Sequence, residues 1–291
     1  MNAIGVHALV WAGDLAPDSA RKIVEKTKQA GYDLIELSLH GPELMDPVLM
    51  RDLLQEKNLR VGCSRGLTFA ADVSSEDAQV VAKGVAMLEE GIDITRRIGG
   101  SYFGGILYGA MAKYGHPCSP AGRRNAIHAV RRVADFAGER GVTLGLEVVN
   151  RYESNLLNTA NQALAFLDEV GKPNVCVHLD TYHMNIEEQD FMQPVLACGK
   201  KLGYVHVGES HRGYLGSGTI NFGQFFNALA AIDYQGVVTF ESFSSAVVNE
   251  QLSNALAIWR NLWEDGMDLA VHAHAFMKTG LAAARQGAAH R

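Results

Sequence analysis

The sequence predicts an α/β protein that folds as a (β/α)8 TIM barrel with an additional C-terminal helix. Two observations lead to this prediction. Eight short apolar segments recur along the 291 residues, and a segment with helical periodicity follows each of them. Strands that alternate with helices are typical of parallel βαβ units, and eight such units favour a closed barrel over an open sheet. The chain has no linker or low-complexity stretch, so we expect one barrel domain over residues 1–291.

The predicted strands are rich in Val, Ile, Leu and aromatic residues and are too short to be helices. They are Ile4–Trp11, Leu34–Leu39, Leu59–Ser64, Ser101–Leu107, Val142–Val149, Asn174–Leu179, Leu202–Val207 and Val237–Glu241. The alternative is an open nucleotide-binding sheet, which requires a glycine-rich turn after its first strand. The residues at that position, WAGD (11–14), do not provide such a turn.

The predicted helices carry apolar residues at helical spacing, and glycines such as Gly31 and Gly141 follow several of them. These helices are Asp18–Ala30, Pro47–Glu56, a segment from Ser74 or Ser75 to Ile98, Ser119–Arg140, Thr159–Val170, Phe191–Lys201, Phe222–Ile232 and Gln251–Trp263. From Met267 onward the sequence predicts the additional helix, followed by a frayed tail rich in Ala and Arg.

Composition narrows the class of protein. The net charge of −6 argues against a nucleic-acid partner, because such proteins usually present a basic face. The N-terminal segment MNAIGVHALVWAG lacks the basic region and long apolar run of a signal peptide, and no apolar segment is long enough to span a bilayer. Four scattered cysteines without a CxxC pair are typical of free thiols in a reducing compartment. We therefore expect a cytoplasmic protein without a membrane partner.

Four potential metal ligands follow one another at the ends of consecutive predicted strands. Strands five to eight carry Glu147, Asp180, His206 and Glu241 at these ends, where TIM barrels place their active sites. Taken alone, a strand-end carboxylate such as Glu241 is typical of a helix cap, and a histidine such as His206 is typical of a protein core. Neighbouring strands lie about 5 Å apart, so the four side chains are expected to converge. Three converging carboxylates resist ionisation unless a cation lies between them. Three carboxylates and one imidazole favour Mn²⁺, Mg²⁺ or Co²⁺, with Zn²⁺ as a further option.

Other polar and aromatic residues are expected around the same mouth. Glu36 lies near the end of the second strand. It is a candidate for contacting the substrate or for supporting the metal ligands from behind. Residues in the loops that follow strands five, six and seven are candidates for binding hydroxyl groups: Glu153, His183 and Arg212. Residues that end or follow strands are candidates for the pocket wall: His7, Trp11, Tyr108 and Phe243.

Four motifs identify a family resemblance. The segments LEVVNRYE (146–153), HLDTYHMNIEE (178–188), HVGESHR (206–212) and FESF (240–243) closely resemble the D-tagatose 3-epimerase family. This family includes D-psicose (allulose) and L-ribulose 3-epimerases and belongs to the xylose-isomerase-like barrels. The strand spacing also agrees, so the resemblance spans nearly the whole chain. The segment VHALVWAG (6–13) departs from more aromatic relatives, which leaves open the chain length and the preferred epimer of the substrate.

The resemblance implies a role for each candidate residue. The four potential ligands match the family's metal ligands, which usually hold manganese or cobalt. Glu147 and Glu241 also match its paired acid/base residues. The groups that hold the O1–O3 end of the ketose are matched by Glu153, His183 and Arg212. Glu36 lies where the wider superfamily often has an acidic residue on the second strand. Relatives are dimers or tetramers, so the resemblance also implies a homodimer or homotetramer.

These inferences predict a metal-dependent ketose 3-epimerase acting on free ketohexoses or ketopentoses. One glutamate removes the C3 proton to give a cis-enediolate, and the other returns a proton on the opposite face. The nearest alternative is an aldose–ketose or hydroxypyruvate isomerase, which moves the proton between C1 and C2. A sugar-phosphate epimerase is another, because the glycines of GESHRGYLGSG (208–218) offer amides to a phosphate. An apurinic endonuclease would need more histidine ligands and a basic face, and a non-enzymatic sugar-binding protein would not need both glutamates.

Overall fold

Eight parallel strands close into a barrel in this computed structural model, which describes residues 2–248 and 250–289. Each strand pairs with the next in the sequence, and the eighth pairs with the first. The strands are β1 (Ile4–His7), β2 (Leu34–Ser38), β3 (Arg60–Ser64), β4 (Tyr102–Gly105), β5 (Thr143–Val148), β6 (Val175–Asp180), β7 (Leu202–Val207) and β8 (Val237–Phe240). The predicted (β/α)8 TIM barrel is therefore confirmed. Seven strands lie within their predicted segments, and β6 extends one residue beyond its segment, to Asp180.

Helices surround the barrel and connect successive strands. They are α1 (Pro17–Gln29), α2 (Pro47–Glu56), α3 (Ala78–Arg97), α4 (Pro120–Gly138), α5 (Ala160–Val170), α6 (Thr181–Glu187), α7 (Gln193–Cys198), α8 (Phe222–Ala231), α9 (Glu250–Ala255) and α10 (Gly266–Ala289). The short helix α6 was not predicted. It begins directly at the end of β6, where the Asp180 carboxylate accepts a hydrogen bond from the Tyr182 amide.

Local side-chain chemistry determines where the helices begin. A reciprocal capping box of Thr159 and Gln162 starts α5. The predicted start of α3 at Ser74 or Ser75 is wrong, because the Asp72 carboxylate accepts hydrogen bonds from the Ser74 amide and hydroxyl and holds this segment in a turn. Asp77 instead caps α3 by accepting a hydrogen bond from the Gln79 amide.

The predicted helix Gln251–Trp263 is also wrong beyond Ala255. Ala257 has a φ of 54°, a left-handed conformation that no α-helix continues through. The Ile258 amide then bonds back to the Ser253 carbonyl, which turns the chain over the barrel mouth. Leu256 and Ile258 pack against a small apolar cluster that contains Leu9, instead of occupying successive turns of a helix.

The additional C-terminal helix is present as α10. Its buried face packs against α8 and the strands β1 and β8, and the Tyr32 hydroxyl donates a hydrogen bond to the Ala270 carbonyl. The expected frayed tail is wrong as far as Ala289, because the helix continues to that residue. His290 and Arg291, which complete the predicted tail, lie outside the described residues.

The barrel has an apolar outer layer and a polar interior near its mouth. Outward-facing strand residues such as Ile35, Phe103 and Val205 are fully buried beneath the helices. Inside the barrel, ionisable and hydroxyl side chains are fully buried instead, including Glu36 and His178. Buried polar groups cost free energy unless they are paired. We therefore expect the functional site in this interior.

Two further expectations concern the cysteines and membrane-spanning segments. All four cysteines are free thiols. Over residues 2–248 and 250–289, none of the helices is both long enough and apolar enough to cross a membrane.

Gly84 in α3 tests the packing of the helical layer. A Cβ atom there would lie 2.2 Å from the Ala71 carbonyl oxygen and 2.7 Å from Val73 Cγ1. Gly84→Ala is therefore expected to lower the free energy of unfolding by about 1–3 kcal/mol, measured by urea denaturation. The control is Gly287→Ala in α10, where nothing lies within 4 Å of the added methyl group. It should be neutral or stabilising by up to about 1 kcal/mol. Equal free energies of unfolding for the two variants would contradict the close contact of α3 with Ala71 and Val73.

Candidate active site

The four predicted ligands converge at the mouth of the barrel. Glu147 lies near the end of β5, Asp180 ends β6, His206 lies near the end of β7, and Glu241 directly follows β8. Parallel pairing places Asp180 beside His206 on neighbouring strands. One ligand atom from each of the four residues lies within 4.8 Å of the others, and all four residues are buried. These residues thus form a candidate metal site with the expected donor set.

The two nitrogens of His206 have different environments. Nε2 lies 2.8 Å from Glu36 Oε2, so Glu36 accepts its hydrogen bond and orients the ring. Nδ1 lies 3.4 Å from Glu147 Oε1 and 3.4 Å from Glu241 Oε1, and it has no hydrogen-bond partner in the described part of the chain. A buried nitrogen that faces two carboxylates without a partner is what a metal-binding imidazole requires. The residues present therefore fit a divalent cation.

The charges of this cluster depend on one another. Burial raises the pKa of Glu147, although His206 opposes the rise. Burial opposes protonation of His206, but Glu241 and Glu36 hold its pKa well above the usual range. Burial likewise opposes ionisation of Asp180, yet Arg212 and His183 keep the pKa of its carboxyl well below normal. The carboxylates thus demand a positive charge at their centre, which a proton on His206 or a bound cation can supply.

Arg212 lies closer to the ligands than its loop position suggested. Its Nη1 donates to Glu241 Oε2 at 2.7 Å and to Asp180 Oδ2 at 3.1 Å. The guanidinium is held between two rings, with its carbon 3.8 Å from the centre of Tyr182 and 4.8 Å from that of Phe243. The backbone of Arg212 has a φ of 62°, a strained conformation that aims this side chain into the site.

His183 lies in helix α6 and not in a loop as predicted, because this helix begins directly after β6. Asn150 joins His183 to Glu153. The backbone amide of Asn150 donates to His183 Nδ1 at 3.2 Å, which leaves the hydrogen of this ring on Nε2. That Nε2 faces the ligands, 3.6 Å from Asp180 Oδ2 and 3.9 Å from Glu147 Oε1. The Asn150 side chain also donates to Glu153 Oε1 at 2.9 Å. His183 therefore presents a fixed N–H donor to the site, and Glu153 presents a carboxylate beside it.

A cavity opens above the cluster. Its wall includes His7 and Phe243, as predicted, together with Glu153, His183 and Arg212. Further wall residues were not predicted: Leu9, Ser38, His40, Ser64, Arg65, Ile106, Met111, Val149 and Leu256. One end of the cavity is thus charged and carries the ligands, whereas much of the remaining wall is apolar. Such a cavity suits a small polar molecule gripped at one end.

Three predicted contacts lie outside this cavity. Tyr108 is fully buried, and its hydroxyl donates to the Glu147 carbonyl at 2.7 Å, so it supports the backbone of β5. Trp11 is a core residue whose indole donates to the Thr27 hydroxyl at 2.9 Å. Glu36 is fully buried behind His206, so its contact is with the imidazole and not with the cavity. Strand-end position alone does not distinguish a wall residue from a supporting one.

The glycine-rich loop after β7 is organised by its own carboxylate. Glu209 is fully buried, and its oxygens accept hydrogen bonds from the amides of Ser210, Gly216 and Ile220. Among the glycine amides that could hold a phosphate, that of Gly216 therefore already has an anionic partner, and that of Gly213 donates to His211 Nδ1.

Two residues with evident structural roles were missed by the sequence reasoning. Asn150 lies within the motif LEVVNRYE, two residues beyond β5, and its polar side chain at a strand end is the signal that indicates it. His178 precedes Asp180 by two residues on β6, so strand alternation places both on the inner face. Burial lowers the pKa of His178 well below its usual value, which keeps this imidazole neutral.

Comparison with known proteins identifies the class. The family model for xylose isomerase-like TIM barrels matches residues 24–273, which is most of the chain. The closed barrel and the buried ligand set at its mouth agree with this match. The chain thus belongs to the xylose isomerase-like TIM barrel class.

Relatives define the family within that class. The chain is 53% identical over 274 residues to an L-ribulose 3-epimerase of Methylomonas sp. (strain DH-1), covering 94% of this chain and 96% of that one. It is 50% identical to a ketose 3-epimerase of Arthrobacter globiformis, covering 96% and 97% of the two chains. A crystal structure of D-allulose 3-epimerase from Methylomonas sp. in complex with D-allulose superposes with a TM-score of 0.94 at 52% identity, covering 96% of each chain. The chain belongs to the ketose 3-epimerase family.

Glu36→Gln tests whether the buried carboxylate tunes the His206 ligand. The amide can still accept the hydrogen bond from Nε2, but the negative charge behind the ring is lost. Affinity for Mn²⁺, measured by titration calorimetry, is expected to fall by roughly 10- to 100-fold. Asp72→Asn is the matched control, because this buried carboxylate bonds to Tyr114 and Ser74 and not to the cluster. Wild-type affinity in Glu36→Gln would show that the contact is only structural.

Proposed function

We propose that this protein epimerises free ketoses at C3 with one divalent metal ion, Mn²⁺ or Co²⁺ in preference to Mg²⁺. The observation that carries the proposal is the placement of two carboxylates, each 3.4 Å from His206 Nδ1. These glutamates come from β5 and β8, with β6 and β7 between them, so they flank the candidate metal site. Relatives at about half identity named as L-ribulose and ketose 3-epimerases support the same activity.

The chemistry requires two groups that exchange protons with one carbon. A metal bound by Glu147, Asp180, His206 and Glu241 supplies Lewis-acid stabilisation of the negative charge that develops on the sugar. In one direction Glu147 removes the C3 proton and Glu241 returns one to the opposite face; in the other direction the two exchange roles.

Residues that follow the strand ends orient the sugar. The His183 Nε2–H and the Arg212 guanidinium are donors at the charged end of the cavity, and Glu153 is an acceptor beside them. Together they suit the hydroxyl and carbonyl oxygens at the O1–O3 end of a ketose. Fixing the rotation about C2–C3 places the C3–H bond against one glutamate, which contributes through orientation.

The cavity supports an unphosphorylated substrate. The Glu209 carboxylate occupies amides of the loop after β7, and this charge would repel a phosphate group there. The wall beyond the charged end includes Leu9, Met111 and Leu256, which suit the carbon chain of a pentulose or hexulose. D-Allulose is the ligand in one related structure and L-ribulose gives a relative its name, so these sugars are the first to test. Assembly as a homodimer or homotetramer and a cytoplasmic location stay predictions.

Deuterium incorporation distinguishes the epimerase from an isomerase. Turnover of D-allulose in D₂O is expected to place deuterium at C3 of the product, followed by NMR. Glu147→Gln and Glu241→Gln should each lower kcat by about 10²–10⁴-fold, because each removes one acid/base group. Each variant should still exchange the C3 proton of the one epimer whose hydrogen faces the remaining glutamate.

Glu169→Gln, which neutralises an exposed carboxylate on α5, is the matched control and should turn over normally. Deuterium at C1 or C2 would assign the reaction to an aldose–ketose isomerase. Wild-type turnover in either glutamate variant would refute the assigned roles.

Metal removal tests the other half of the proposal. Dialysis against a chelator should abolish epimerisation, and Mn²⁺ or Co²⁺ should restore it. The thermal midpoint should also rise with Mn²⁺, because the folded site binds the ion and the unfolded chain binds it poorly; 100-fold excess over Kd adds about 2.7 kcal/mol. Asp180→Asn should lose most of this rise. Full activity in protein shown by elemental analysis to be metal-free would end the proposal.

A further inference from the structure

His178 occupies a position directly beneath the four ligands, and the proposed reaction does not use it. Its side chain is fully buried inside the barrel. Nδ1 lies 3.1 Å from the Tyr102 hydroxyl, whereas Nε2 has no hydrogen-bond partner among residues 2–248 and 250–289. A buried imidazole nitrogen without a partner is costly, so it points to an occupant that the protein does not itself provide.

Two metal ligands lie within reach of His178. Its ring meets the His206 ring edge-on, with the centres 4.1 Å apart. On the neighbouring strand Glu147 is its register partner. One ligand atom from each of Glu147, His178 and His206 lies within 4.8 Å of the other two, and all three residues are buried. This group overlaps the site at the mouth but excludes Asp180 and Glu241.

We infer that the barrel contains a second, deeper coordination set, formed by Glu147, His178 and His206, that binds a nitrogen-preferring divalent ion such as Zn²⁺. The two sets share Glu147 and His206, so a single ion occupies one or the other. This second position lies outside the proposed reaction, which uses the ion at the mouth.

The donor atoms explain why different ions choose different sets. The site at the mouth offers three carboxylates and one imidazole, a combination that suits Mn²⁺ or Mg²⁺. The deeper set offers two imidazoles and one carboxylate, a combination typical of Zn²⁺ sites with an open fourth position. Zn²⁺ generally binds mixed nitrogen and oxygen ligands more tightly than Mn²⁺ does.

The surrounding side chains hold His178 in place. Tyr102 stacks on Tyr204 with ring centres 4.0 Å apart, and His178 packs edge-on against Tyr204 at 5.0 Å. The Tyr204 hydroxyl lies 2.6 Å from the Thr239 hydroxyl across the barrel. With the Tyr102 hydroxyl at Nδ1, this stack leaves Nε2 as the nitrogen available to an ion.

The test counts imidazole ligands on each metal. Metal-stripped wild-type protein is loaded with one equivalent of Zn²⁺ alone, and the outer-shell scattering of imidazole is measured by zinc X-ray absorption. We expect two imidazoles on Zn²⁺ and one imidazole on Mn²⁺ in a parallel manganese measurement. His178→Gln should reduce the zinc count to one, whereas Asp180→Asn should leave it at two and weaken Mn²⁺ binding instead. Circular dichroism and thermal unfolding establish that both variants are folded.

Several outcomes would overturn the inference. A count of only one imidazole on Zn²⁺ in the wild-type protein would overturn the inference by itself, even if His178→Gln fails to fold. Two imidazoles retained in His178→Gln, or one Zn²⁺ and one Mn²⁺ bound together per chain, would also contradict it. Failure of the proposed function can be distinguished from failure of this inference. In that case Mn²⁺ would not bind or would not support epimerisation, but Zn²⁺ would still be bound by two imidazoles.

Discussion

Three carboxylates buried around one point impose the constraint on which the rest of the site depends. Oxygens of Glu147, Asp180 and Glu241 lie within 4.8 Å of one another and of a His206 nitrogen. Like charges this close in a poorly solvated place disfavour their own ionisation, so the cluster requires positive charge. Arg212 supplies part of it through two charge-assisted hydrogen bonds. The space between the carboxylates and His206 Nδ1 is where a divalent cation would supply the remainder.

Buried residues behind the cluster determine which atoms of the site residues face it. Glu36 engages His206 Nε2 and thereby directs Nδ1 toward the carboxylates, and Asn150 does the equivalent for His183 by engaging its Nδ1. Tyr108 supports the backbone carbonyl of Glu147 from the core. Two imidazoles and the Glu147 backbone at the candidate site are thus held by buried partners, which is how a rigid barrel can preorganise side chains on short strand ends.

The strand-end ligands were predictable from the sequence because strand periodicity and barrel topology are local and repetitive. Once eight βαβ units are recognised, residues at the ends of consecutive parallel strands must meet at one edge, wherever they lie in the chain. Glu147, Asp180, His206 and Glu241 meet there as expected. The motifs around them also indicated the family, because Glu153 and Arg212 lie in the loops, and His183 in the short helix α6, that directly follow those strand ends.

The sequence by itself determined the barrel, the candidate ligand set and the family, since all three depend on regular spacing and on residue type. Only the tertiary structure decided that Tyr108 supports β5 from the core while Leu256 lines the cavity, because burial depends on which distant segments pack together. The early end of helix α9 has the same cause. Helical spacing continued through Trp263, but packing of Leu256 and Ile258 on the Leu9 cluster favours a turn over the mouth that local periodicity does not encode.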